Sequence, residues 1–234
     1  MINPPSELSI KVIGIGGVGT ILADKLSRFL NYGNGVDTRI TFVDGDTFEP
    51  KNRDRQEFAI AGGKKSLVKA SEFQEKYHEL NYSAFDEYVN PRNVGTFIKS
   101  GDIVFVCVDN HKTRKIISDF TKTLSDIVVI SGGNEFTDGN VQIFVRREGR
   151  SLTPSLSDYH PEIEHPKDRT PGEMTCEELA QSEPQLFFTN LGVATFMCFA
   201  FYNTVVKNNP SYSEVYFDVL SMKADSKSRK PLDS

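Results

Sequence analysis

Apolar positions along this chain alternate between strand-like runs and helical stripes. Leu8 to Ile15 is a mostly apolar run that predicts a buried strand, after which Val18, Leu22, Leu26 and Phe29 recur at helical spacing up to the breaker cluster Asn31 to Gly35. Arg39 to Asp44 is a second short run ending in an acidic loop, the parallel partner that a strand–helix–strand crossover requires. Lys64 to Leu80 places Ala70, Phe73, Tyr77 and Leu80 on one face and predicts a second crossover helix.

The alternation continues. Ser83 to Val89 is expected as a strand, Pro91 to Lys99 as a short helix and Asp102 to Cys107 as an apolar strand, followed by a helix showing Ile116, Ile117, Phe120 and Leu124. Ile127 to Ile130 and Val141 to Val145 predict two further buried strands, joined through Gly132-Gly133-Asn134 and Asp138-Gly139-Asn140, which carry turn chemistry. The order implies a Rossmann-like, doubly wound α/β fold, a mostly parallel sheet with helices on both faces.

Residues 150–182 break the pattern with Pro154, Pro161, Pro166 and Pro171, two histidines and many charges, and are expected to form a long, mobile crossing loop. Pro184 to Val206 then carries no charge, and Leu186 to Val206 is long enough to cross a bilayer. Gln185, Asn190, Asn203 and several threonines interrupt it and its flanks lack a basic cluster, so a helix buried against the sheet is expected. Val215 to Leu220 predicts a late strand, and residues 225–234 a solvated tail behind a single domain spanning 1–224.

Composition changes this picture little. A length of 234 residues suits one large α/β domain, and 38% hydrophobic residues, 25% charged residues and a net charge of -5 fit an ordinary soluble protein with neither nucleic acid nor membrane as its main partner. Cys107, Cys176 and Cys198 show no paired spacing, and the first residues lack the regions of a signal peptide, so a reducing cytoplasm is expected.

Candidate chemistry begins at Gly14-Ile15-Gly16-Gly17-Val18-Gly19, where a strand hands over to a helix. Backbone N–H groups and the helix N-terminus there can converge on phosphate, with Gly14, Gly16, Gly17 and Gly19 allowing close approach. Asp44, closing the second strand, sits where a carboxylate meets ribose hydroxyls, with Asp46 as its competitor. Up to this point a nicotinamide dehydrogenase and an ATP-using enzyme fit equally well. Asn52-Arg53-Asp54-Arg55-Gln56 favours ATP, because an enzyme activating a carboxylate must hold triphosphate charge as pyrophosphate leaves. Lys65, or its neighbour Lys64, can add a cation from the start of the next helix. Asp109, at the carboxyl end of the strand Asp102 to Cys107, can hold Mg2+, while Asn110 is suited to capping the helix that follows.

Five motifs therefore occur in order between Gly14 and Arg114: Gly-x-Gly-Gly-x-Gly, Asp-x-Asp, Asn-x-x-Arg-Gln, a helix-opening lysine and Asp-Asn-x-x-x-Arg. This ordered set resembles the ThiF, MoeB and HesA family, the bacterial relatives of ubiquitin-activating enzymes, and among bacterial members looks most similar to the ThiF proteins of PRTRC-type mobile-element operons. The resemblance implies an ATP-dependent adenylyltransferase that activates the C-terminal carboxylate of a ubiquitin-like protein, consuming Mg2+ and ATP and releasing pyrophosphate. Asp44 would then bind ribose, Arg55 and Lys65 the phosphates and Asp109 the metal, with Asn52 and Gln56 supporting by hydrogen bonding. It also implies a homodimer and a conjugating-enzyme-like acceptor.

Cys176, in Gly172-Glu173-Met174-Thr175-Cys176, matches the loop-to-helix setting of family members that pass their substrate on as a thioester. It is the candidate nucleophile, although Glu173, Glu177 and Glu178 oppose thiolate formation. Cys107 and Cys198 fall within apolar elements and read as core residues. Three unpaired cysteines cannot supply the Cys-x-x-Cys pairs of zinc-binding relatives, so no structural zinc is expected. Some relatives reach across a dimer with an arginine from an N-terminal helix, a feature left open here because only seven residues precede Leu8, and Arg53 stands where the family has an apolar residue. Two alternatives remain: adenylation for sulfur transfer or of a peptide or small carboxylate without a thioester relay, and a non-catalytic ATP-binding scaffold subunit.

Overall fold

The structure, a computed structural model, describes residues 7–33, 36–54, 56–58, 60–173 and 185–232. Strand β1 (Glu7–Ile13) leads through the glycine loop into α1 (Gly17–Asn31), which returns to β2 (Asp37–Val43). Helix α2 (Lys65–Lys76) carries the chain to β3 (Asn81–Phe85), and a short α3 (Val94–Phe97) brings it back to β4 (Ile103–Val106) on the other side of β1. Helix α4 (His111–Thr121) then leads to β5 (Ile127–Asn134). These five strands are parallel in the order β3-β2-β1-β4-β5, so the winding reverses between β1 and β4. At such a reversal the connections leave in opposite directions and open a crevice at the strands' carboxyl ends.

The sheet continues as an antiparallel wing. β5 pairs with β6 (Asp138–Arg147), β6 with the two-residue β7 (Arg150–Ser151) and with β8 (Glu214–Asp218), and β8 with β9 (Lys223–Lys227). The two glycine clusters expected as turns lie inside this hairpin: Gly132, Gly133 and Asn134 pair with Val141, Asn140 and Gly139. The reason is helix packing, not turn geometry. A Cβ on Gly132 would come within 2.5 Å of Met197 and Val193, and one on Gly139 within 2.7 Å of Phe217 and Val193, so glycine lets the late apolar helix approach the sheet. That helix, α6 (Phe187–Phe201), runs on through a π turn, Tyr202–Val206. Among the described residues it is the one helix long and apolar enough to cross a membrane, yet half of its length is buried, against α1, β5 and β6.

Alternation along the strands builds two cores. Ile10, Val12, Ile40, Phe42, Phe105 and Ile130 face α1, α2 and α6, while Ile13, Val43, Val104, Val106 and Val129 face α3 and α4. Burying both faces is what makes the strands read as unbroken apolar runs. Helix α1 turns Leu30 inward and leaves Phe29 half exposed, one step off the stripe expected from spacing.

Residues 150–173 lie folded against the α4 face. Leu156 and Ile163 are buried there, Thr153 bridges Val145 N and Ile143 O at 2.8 and 2.7 Å, and residues Pro161–Glu164 form a single helical turn, α5. Asp168 accepts hydrogen bonds from His111 N and Lys112 N (2.5 and 3.1 Å), neutralising the start of α4. The C-terminal stretch, expected to be solvated from Asp225, has exposed side chains but joins the sheet edge through Lys223–Lys227.

A charged clamp ties the crossing segment to β8. Both ring nitrogens of His160 meet carboxylates, Nδ1 to Glu162 at 2.8 Å and Nε2 to Glu214 at 3.0 Å, and Glu214 also accepts from Arg229 Nε at 2.9 Å. Burial alone would lower the imidazole pKa, but the two carboxylates outweigh it and raise it; burial likewise opposes ionisation of Glu214, which His160 and Arg229 nonetheless hold at about 2. A raised histidine pKa means stabilisation that is full below the ordinary histidine value and lost as pH rises through the folded value. Wild type is therefore expected to exceed His160→Gln by about 1–2 kcal/mol at pH 5.5. The gap in urea midpoints should narrow toward pH 9; a constant gap would show that His160 acts there uncharged.

Candidate functional site

Everything expected to touch nucleotide and falling within the described residues gathers at the crevice between β1 and β4. Gly14 has φ +91°, donates its N–H to Val43 O at 2.9 Å, and lies so close to β4 that a Cβ would sit 2.8 Å from Cys107 O. A Cβ on Gly19 would come within 1.9 Å of Gly14 O, so this glycine allows α1 to start against the loop it closes. Gly16 is different, meeting only Gln56 Nε2 at 3.8 Å; its missing side chain leaves room above the loop. Helix α1 begins at Gly17 without a side-chain cap, leaving first-turn N–H groups available to an anion.

Asp44 braces this loop. Its Oδ2 accepts Ile15 N at 2.5 Å and its Oδ1 accepts Asp46 N at 2.8 Å, which leaves each oxygen a further lone pair for ribose hydroxyls. Burial pushes its carboxyl above the ordinary aspartate range, while Lys65 and the two N–H donors pull it back. Asp46 holds Lys65 Nζ at 2.9 Å and accepts a hydrogen bond from the Tyr88 hydroxyl. Desolvation would depress the Lys65 ammonium, but Asp44, Asp46 and Asp109 together raise its pKa. Lys65 is thus a buried, firmly charged cation at the start of α2. Lys64 instead donates to Gly45 O at 3.1 Å, which favours Lys65 of the two as the phosphate ligand.

Asn52 and Gln56 are both buried, and Gln56 N bonds to Asn52 O at 2.8 Å, bringing the Gln56 carboxamide to Gly16 with Oε1 unpartnered in the protein. Arg53, the departure from the family pattern, places its guanidinium 5.2 Å from the centre of the Phe58 ring. Asp109 is exposed at the carboxyl end of β4, and its neighbour Asn110 caps α4 by accepting Thr113 N at 2.8 Å, leaving the aspartate outside the cap. Arg114 is held by the protein itself. It is buried, and binds Ser131 Oγ, Val108 O and Gly132 O at 2.7–2.9 Å, tying the ends of β4 and β5 together.

Arg55 and Cys176 lie outside the described residues. The other two cysteines suit structural roles: burial pushes the Cys107 thiol up to about 12 and that of Cys198 to about 11, far from the thiolate form. The described residues contain no group of three or more His, Cys, Asp or Glu placed to hold a metal ion. Sequence reasoning missed Tyr88, Asp168 and Asn190. Tyr88 had one signal: a glycine held between Asp44 and Asp46, because a Cβ on Gly45 would strike the Tyr88 ring at 2.9 Å.

Comparison with known proteins matches the ThiF family profile to residues 6–231. Curated relatives include the adenylyltransferase and sulfurtransferase uba4 of Emericella nidulans, 32% identical over 143 residues that cover 58% of this chain and 28% of that protein. Ubiquitin-like modifier-activating enzyme 5 of Culex quinquefasciatus is 31% identical over 133 residues, covering 51% of this chain and 32% of that protein. The tRNA threonylcarbamoyladenosine dehydratase of Haemophilus influenzae is 30% identical over 137 residues, covering 56% and 50%. The matched region thus spans between about a quarter and a half of these relatives. Among solved structures, E. coli MccB with AMPCPP and MccA superposes with a TM-score of 0.73 at 16% identity, over 96% of this chain and 65% of that one. PaaA gives 0.71 at 15% identity, over 95% and 64%, so both similarities speak to the fold.

Proposed function

The chain belongs to the ThiF family, and from that premise we propose that it uses ATP to adenylate the C-terminal carboxylate of a ubiquitin-like protein. The observation that carries this reading is the convergence of the glycine loop, Asp44, the Asp46–Lys65 pair, Gln56 and Asp109 on one crevice at the β1–β4 reversal. Activating a carboxylate with ATP needs a cradle for phosphate, a ribose anchor and cations that follow charge onto the leaving pyrophosphate. A dehydrogenase has no use for a buried lysine beside an exposed aspartate.

The residues present fit the ligands. Gly16 leaves open space over the loop, Gln56 offers an unpartnered buried carboxamide, and Asp44 keeps lone pairs for hydroxyls. Asp109 would hold Mg2+, which needs only one or two protein carboxylates when phosphates complete its shell and would there draw electron density from the phosphates. In the proposed reaction a carboxylate oxygen attacks the α-phosphorus, the bond to the β-phosphate oxygen breaks, and pyrophosphate leaves. Lys65, Arg55 and the loop amides hold the negative charge while Asn52 and Gln56 keep the segment in place. A relay completes the proposal: the Cys176 thiolate attacks the acyl-adenylate carbonyl, the bond to AMP breaks, and a thioester forms for transfer to a conjugating-enzyme-like acceptor. A homodimer is part of the same proposal.

A second reading is favoured by the similarity to the adenylyltransferase and sulfurtransferase uba4: adenylation for sulfur transfer, without a conjugating partner. The deciding experiment is ATP–pyrophosphate exchange with a ubiquitin-like protein encoded beside this chain, followed by a search for a reductant-labile adduct. Exchange with an adduct lost in Cys176→Ala supports the relay; exchange with an adduct indifferent to that change supports the second reading; a folded enzyme that exchanges with no such partner sinks both. Asp109→Asn is expected to slow exchange roughly 100-fold while leaving the melting temperature nearly unchanged, since the side chain is exposed. Exchange at the wild-type rate would remove Asp109 from the metal site.

A further inference from the structure

The phosphate loop has a neighbour that none of the five motifs names. Asn190 lies in the first turn of α6, is fully buried, and rests on the loop: a Cβ on Gly17 would come within 2.3 Å of its Nδ2. Glycine at the start of α1 is required here because the Asn190 carboxamide occupies the space a side chain would take. The amide is also incompletely matched. Nδ2 donates to Gln185 Oε1 at 3.3 Å, and Oδ1 has no partner. Asn190 is buried in an apolar helix whose other buried residues include Val193, Ala194 and Met197, so packing gives it no reason to be polar.

We propose that Asn190 is a further nucleotide-binding residue, whose carboxamide joins the loop's N–H groups in donating to a phosphate oxygen of ATP. The inference rests on the adenylation reading above. Nδ2 is the end that lies against Gly17, and it carries two hydrogens: one is given to Gln185 Oε1 and the other is left for an acceptor. A phosphate oxygen, which only accepts, is the partner that second N–H suits. The first turn of α6 also brings a second helix N-terminus beside that of α1, so two sets of peptide dipoles favour an anion at Gly17.

The test is calorimetric titration of the full chain with a non-hydrolysable ATP analogue, with thermal melting of each unliganded variant as the measure of folding. Asn190→Asp keeps the shape but sets negative oxygens against the phosphates, and affinity is expected to fall at least about 30-fold; Asn190→Leu keeps the volume, loses the donor, and is expected to cost about 5-fold. The order of the two variants separates contact from packing: a residue that merely shaped the loop would suffer more from leucine, the larger change in shape. If Asn190→Asp fails to fold, Asn190→Leu decides alone. Affinities within twofold of wild type for the folded variants, or leucine worse than aspartate, overturn the inference. A wild-type chain that binds no adenine nucleotide overturns the adenylation reading itself, and this inference with it.

Discussion

Lys65→Ala is expected to lower ATP–pyrophosphate exchange by roughly 100- to 1,000-fold, the range seen when one preorganised group facing developing charge is removed. Stability should fall as well. The ammonium is buried with Asp44 and Asp46 around it, and Asp44 is itself buried with two N–H donors. Removing the cation leaves two neighbouring carboxylates to repel each other, one of them in a low-dielectric setting. Truncating one member of a buried pair costs about 3–5 kcal/mol; with Asp46 partly exposed, about 2–3 kcal/mol is expected here. The unliganded variant should recover stability as pH is lowered, because Asp44, already above the ordinary aspartate range, then takes up a proton. Exchange within threefold of wild type, at saturating ATP, would exclude Lys65 from phosphate binding and return Lys64 to consideration.

Gly19→Ala and Gly16→Ala should behave as opposites although they lie in one motif. At Gly19 the added methyl would meet Gly14 O at 1.9 Å, and a backbone atom inside the crevice cannot swing aside as a side-chain tip can. Relief requires α1 to lift from β1, opening the core around Val18, Leu22 and Leu26, so the variant is expected to lose about 3 kcal/mol or more by urea denaturation. At Gly16 the methyl meets nothing nearer than Gln56 Nε2 at 3.8 Å; φ is -87° and ψ -149° lies just beyond the extended region, so the loss of stability should stay within about 1 kcal/mol. There the methyl enters the room left for phosphate, and nucleotide affinity should fall at least about tenfold with the fold intact. Equal loss of stability in the two variants would show that the motif has a single structural role.

The contrast between these glycines marks how far the primary structure could be read. Gly14, Gly16, Gly17 and Gly19 are one motif in sequence, yet three of them accommodate the protein itself and one has space above it. Spacing cannot separate these cases, because each depends on what a distant segment places overhead: β4 over Gly14, Asn190 over Gly17, open space over Gly16. The same holds for Arg114, legible as part of Asp-Asn-x-x-x-Arg but turned by burial toward Ser131 and Gly132 to staple two strands. His160 had no ligand or triad spacing in the chain. Its partner Glu214 lies on β8, 54 residues further along the chain.

What the sequence determined by itself was whatever depends on local periodicity and order. Runs such as Ile103 to Cys107 are apolar throughout because both sheet faces are covered. The succession of strand and helix up to β5, the glycine loop, Asp44 and Asp109 at strand ends, and membership of the ThiF family all follow from residues close together in the chain. Tertiary structure decided the rest. Gly132 and Gly139 carry turn chemistry but lie within a hairpin, because α6, fifty or so residues away, needs their missing side chains to reach the sheet. Lys65 rather than Lys64 became the buried cation because the register of α2 points it at Asp46. Local propensity is a property of a few adjacent residues, whereas burial, pairing and pKa are set by whichever segments fold against them, and those partners are distant along the chain.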